Sequence, residues 1–68
     1  MGQDETVELD VEVIKQHEDA MLVSDGDNEA WISYSLIDEE SNIDQHTEQG
    51  ETGTMVIPEW KAMKAGLI

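Results

Sequence analysis

From Val7 to Val13 the chain alternates apolar and acidic side chains at every step: Val7, Glu8, Leu9, Asp10, Val11, Glu12, Val13. A helix has no use for that pattern, because a period of two scatters its apolar side chains around a 3.6-residue turn. A strand accepts it directly, with one face in a core and the other in water. The alternation therefore commits the chain to a half-buried strand, and through it to a sheet. Ile14 breaks the alternation and marks either a bulge or the end of the strand. Lys15 to Asp19 reads as a polar connection.

The remaining elements rest on shorter signals. Ala20-Met21-Leu22-Val23-Ser24 is a short apolar strand. Asp25-Gly26 is a hairpin signal, since glycine supplies the positive φ of a tight turn, and Asp27-Asn28 lengthens the loop. Glu29 to Tyr34 is the returning strand, and Ser35-Leu36-Ile37 turns away from the sheet. Residues 38–53 hold six acids and two glycines, with Ile43 as their only large apolar side chain. This stretch reads as a solvated, partly mobile loop with a short edge strand around Ile43–His46. Thr54-Met55-Val56-Ile57 is a last strand. A helix comes next, with Pro58 at its first position, Glu59 toward its positive end, Lys61 and Lys64 toward its negative end, and Gly66 beyond its C-terminus. Trp60 and Met63, with Leu67, would share the face that lids the sheet.

These elements predict a mainly β domain: a small antiparallel sheet or barrel of four to five strands, strongly bent, SH3-like or OB-like, with one short C-terminal helix. Residues 1–6 are expected as a disordered tail and 7–68 as a single small domain. The chain has 68 residues and no cysteine, so neither a disulfide nor a thiolate metal site can staple its core. No apolar run approaches the roughly 20 residues of a spanning helix. The acidic start, Gln3-Asp4-Glu5, is unlike a signal peptide. The expected location is the cytoplasm.

Charge bears on partners. Seventeen acids face three lysines and no arginine, a net charge of -14. Such a surface repels nucleic acid and anionic membrane and attracts basic protein. Catalysis is not expected, because no nucleophile elbow, phosphate loop or dinucleotide fingerprint is present. A general acid would also need a pocket that a chain this small has little room to build. Cofactors and metals are not expected either. Asp25-Gly26-Asp27-Asn28-Glu29 echoes a calcium loop, but Ala30 and Leu36 stand where an EF-hand needs glycine and glutamate. His17 and His46 lie in polar loops with no metal-ligand spacing.

Trp31-Ile32-x-x-Ser35-x-Ile37, a polar loop, then Val56-Ile57-Pro58-Glu59-Trp60-x-Ala62 and a Gly66-Leu67 end make up a longer pattern. It resembles a group of small phage and prophage proteins of unknown role, over roughly residues 7 to 68. The resemblance implies a phage or mobile-element origin and no enzyme activity. The chain departs from it at Ser33 and Tyr34, where proline and lysine are usual, and at Lys61, which replaces a leucine.

The candidate partner-binding residues are Glu8, Asp10 and Glu12 on the first strand, Tyr34 as an exposed aromatic, and Asp38, Glu39, Glu40 and Asp44 as a second acidic set continuing the line. Trp31 and Trp60 are read as core or lid. Alternate residues of a strand lie about 6.6–6.8 Å apart. Successive phosphates of a nucleic-acid strand are separated by on the order of 6–7 Å, consistent with a duplex carrying one charge per about 1.7 Å. The first strand can thus present carboxylates at phosphate-like intervals. The leading expectation is a nucleic-acid mimic that blocks a basic DNA- or RNA-binding surface. A salt-adapted accessory domain is the alternative. A structural or assembly role in a phage particle, or self-association through an exposed sheet edge, is a third, and the chain is expected as a monomer or weak homo-oligomer.

Overall fold

The computed structural model describes residues 5–68. Its elements are β1 (Thr6–Gln16), β2 (Ala20–Ser24), β3 (Glu29–Ser33), a 3-10 turn (Tyr34–Leu36), β4 (Thr52–Pro58) and α1 (Glu59–Lys64). The four strands form one open antiparallel sheet in the order β3-β2-β1-β4. The protein is mainly β, with one short C-terminal helix. Of the expected tail, residues 1–4 lie outside the described residues, and Thr6 already pairs with Pro58.

β1 is longer than its alternating segment because it changes partner along its length. Thr6 to Glu12 pair with β4, and Glu12 to Gln16 pair with β2. The register shifts between Val13 and Lys15, so Ile14 is a bulge and the strand continues past it. One extra residue resets the alternation. Lys15 and Gln16 are therefore strand residues, and the connection shrinks to residues 17–19.

The inward face carries the core that the alternation predicts. Val11, Val13, Met21, Val23, Ile32, Met55 and Ile57 are buried together, with Val7, Leu9 and Ala30 packed against them. The helix departs from expectation. Trp60 and Met63 are 42% and 62% exposed, while Ala62 is fully buried and Leu67 joins the core. A helix of under two turns must lie close to the sheet, and the small Ala62 permits that approach where tryptophan would hold it off. Pro58 is the helix cap and the last ladder residue, not the first helical residue. Its extended ψ of 140° suits the ladder. Gly66 takes φ 79° and its N–H donates to the Met63 carbonyl, and Leu67 N–H donates to the Ala62 carbonyl at 2.9 Å. This paired closure needs a left-handed residue and brings the next apolar side chain back onto the helix.

Residues 38–53 form no edge strand at Ile43–His46, which is turn and coil. They are nonetheless anchored. Ile43 is 2% exposed and belongs to the core. It sits where Gly53, opposite the inward Val11, leaves side-chain volume unfilled: a Cβ on Gly53 would lie 2.6 Å from Ile43 Cγ2 and 2.5 Å from Asn42 Oδ1. The same segment lines the outer edge of β4. Asp38 N–H donates to the Val56 carbonyl at 2.8 Å, and Asn42 N–H to the Thr54 carbonyl at 3.0 Å. In return Thr54 N–H donates to Asn42 Oδ1 and Val56 N–H to Ser41 Oγ. Side-chain oxygens thus supply acceptors that a neighbouring strand would otherwise provide.

Candidate acidic binding face

Glu8, Asp10 and Glu12 are all exposed, on the face of β1 opposite the core. Their ladder partners on β4 are Val56, Thr54 and Thr52. Thr54 Oγ1 donates to Asp10 Oδ1 at 3.3 Å, which fixes the middle carboxylate beside a hydroxyl. Glu12 is the pivot of the sheet, paired with Thr52 on one side and Ser24 on the other. Among the described residues, β1 upstream of that rung has no ladder partner on its β2 side, and an open groove of about 350 Å³ results. It is lined by Asp10, Glu12 and Asp25 together with Ser24, Thr52 and Thr54.

Asp25 joins this groove only through the register of β1 on β2, so no local pattern in the chain announces it. Its carboxylate also closes the hairpin turn. Oδ1 accepts from Asn28 N–H at 2.8 Å and from Asp27 N–H at 2.9 Å. Those bonds, the one from Asn28 first, hold its pKa below the ordinary value of 3.8. Gly26 takes φ 105°, as the turn signal required. Asn28 Nδ2 donates to the Gly66 carbonyl, tying this hairpin to the end of the helix.

The second acidic set divides. Asp38 runs beside Val56, the rung partner of Glu8, so Asp38–Glu40 flank the first row across β4. Two inter-strand spacings, about 10 Å, separate the two backbones. Asp38 and Asp44 also cap local turns: Asp38 Oδ1 accepts from Glu40 N–H at 2.9 Å, and Asp44 Oδ1 from His46 N–H at 2.8 Å. Asp38, Glu39 and Asp44 line a second groove of about 390 Å³ with Tyr34, Ile37 and His46. Glu8 and Glu40 line neither groove.

The aromatics reverse their expected roles. Tyr34 is half-buried and packs against the core, and its hydroxyl donates to the His17 carbonyl at 2.9 Å. Desolvation, then the charge of Asp19, push its pKa above 10. Trp31, expected in the core, is 44% exposed on the outward side of β3, with the His17 ring edge-on to it at 4.9 Å. The alternation of β3 decides this: Ile32 points inward, so Trp31 points out. Among the described residues, no group of three or more His, Cys, Asp or Glu side chains is arranged to hold a metal ion. Among the same residues, no helix is long and apolar enough to cross a membrane.

The fold and site define an acidic, open four-stranded sheet. No protein-family model matches the chain, and no curated protein or solved structure matches it either.

Proposed function

We propose that this is a non-enzymatic acidic binding protein of phage origin. It acts as a nucleic-acid mimic in the host cytoplasm, occupying the basic DNA- or RNA-binding surface of a defence or DNA-handling protein. The observation that carries the reading is the outward row Glu8, Asp10, Glu12 on one regular strand, unbroken by any basic residue and flanked across β4 by Asp38–Glu40. Carboxylates at about 6.8 Å intervals on a rigid element approximate a phosphate track. They would steer a cationic partner and weaken in salt as paired charges are screened.

The test is capture from host lysate at low salt with elution by a salt gradient. The expected product is a nucleic-acid-binding protein that the chain displaces from DNA or RNA. The triple variant E8Q/D10N/E12Q should lose it at lower salt. A captured protein that keeps its nucleic acid, or is held equally by the triple variant, sinks the reading.

A second reading, salt adaptation, is favoured by one observation. Every acid among the described residues is exposed except Glu59, which is half-buried, so the charge is spread over turns as well as the sheet. That reading predicts unfolding in dilute buffer and refolding in molar salt. The mimic stays folded at low salt.

A further inference from the structure

Among the described residues, nothing pairs with the outer edge of β3. Asp25 N–H donates to the Asn28 carbonyl, and Tyr34 N–H to the Asp19 carbonyl. These bonds bracket the β2–β3 ladder and fix its parity. Antiparallel rungs alternate between bonded and non-bonded pairs. Val23–Ala30 and Met21–Ile32 are therefore the bonded rungs. The main-chain groups of Glu29 and Trp31, and the N–H of Ser33, point away from the sheet. Among the described residues, no hydrogen bond reaches them. This differs from β4, whose edge is met by residues 38–42. Bare edges are templates for strand pairing.

The surroundings of this edge indicate what would pair there. Asp27 and Glu29 stand at its start, and Asp19 bonds at its end with Glu18 beside it; all four are exposed. Trp31, with His17, Asp19 and Ala20, lines an open hollow of about 290 Å³ that runs from β3 toward β2 and the β1–β2 turn. An aromatic face next to a carboxylate suits a lysine or arginine stem. A second copy of this chain would bring its own acids and its own charge of -14 to the contact.

We infer that the edge of β3 takes up an extended, lysine- or arginine-bearing segment of a partner protein as a fifth strand. The main chain would supply the bonds, and the flanking acids with Trp31 the selectivity. This rests on the reading of the partner as a basic protein and adds the directional contact that charge alone lacks.

The probe is the capped peptide Lys-Val-Lys-Val-Lys-Val-Lys and a twin N-methylated at alternate residues, which keeps the charge and removes strand donors. Amide chemical shifts of the full chain report both. The parent should shift and protect Glu29, Trp31 and Ser33. The twin should bind at least tenfold more weakly. W31P, which removes an outward N–H and leaves the bonded rungs alone, should bind the parent at least tenfold more weakly while its circular dichroism is unchanged; if it misfolds, the twin peptide decides. Equal binding by the twin, or shifts confined to Glu8, Asp10 and Glu12, overturns the edge site and leaves the mimic reading standing. Binding of neither peptide at low salt overturns both. Protection of Glu29 and Trp31 in the free chain that rises with its concentration assigns the edge to a second copy and also overturns the proposal.

Discussion

Along β4 the outer main-chain groups of Thr54 and Val56 are met by Asp38, Ser41 and Asn42, whereas along β3 those of Glu29 and Trp31 meet no partner among the described residues. The two edges belong to one sheet and carry similar lengths of strand. They differ in where the neighbouring chain goes. β3 runs into a 3-10 turn whose exit leads across to β4, and residues 38–42 of the long acidic segment cover that edge before the later ones bond to Val13 and Gln16 of β1. Besides these bonds, its apolar hold is one side chain, Ile43, set against a glycine. An acidic stretch with no regular structure can thus be a structural part, provided one residue reaches the core and short polar side chains imitate a strand.

The largest expected effect comes from unsealing the covered edge. Ile43→Ala should cost about 2–5 kcal/mol, because it empties a core position. The melting temperature should fall at about 4–8 °C per kcal/mol. Thr54 and Val56 amides should lose hydrogen-exchange protection while β2–β3 amides keep more of theirs. Uniform loss across the sheet would mean that the segment is not a separate seal. Gly53→Ala should rank second at about 1–3 kcal/mol, since its Cβ must push Ile43 and Asn42 aside. A neutral or stabilised Gly53→Ala would contradict the tight approach.

Acid should loosen the hairpin beside the bare edge. Asp25 is held below its ordinary 3.8, so its contribution is present above the unfolded value and lost as pH falls through the lower folded one. Asp27 and Asn28 amide shifts should move below about pH 4, and Asp25→Ala should abolish that transition. At the bare edge itself, Trp31→Ser should cost about 1 kcal/mol, the usual worth of an edge-on aromatic pair such as Trp31 makes with His17. A large loss would show that Trp31 packs as a core residue after all. E8Q/D10N/E12Q should raise the melting point slightly at low salt, and the difference should vanish near 1 M, where the screening length is about 3 Å.

Much of the fold is legible in the sequence because strands announce themselves by period. The alternation places Glu8, Asp10 and Glu12 outward, and Asp25-Gly26 marks the hairpin. The bulge at Ile14 is visible as a break, but its outcome depends on whether β2 can continue the ladder. Trp31, Trp60 and Ala62 mislead together. Size suggests that the tryptophans are buried, but strand parity and the closeness of a short helix to the sheet outrank size. Tyr34 misleads in the other direction. It reads as a surface contact, yet its hydroxyl meets the His17 carbonyl, 17 residues away in the chain. Only the assembled β1–β2 turn brings that acceptor within reach.

The sequence by itself determined the alternating strand, the hairpin, the helix stop at Gly66 and the sign of the surface, since each is set by neighbours along the chain and by the chemistry of single side chains. Tertiary structure alone decided that Ile43 fills the space Gly53 leaves, that Asp25 joins Asp10 and Glu12 around one groove, and that one sheet edge is sealed while the other is bare. Those outcomes depend on which distant segments share a rung, and rung register is a property of the assembled sheet.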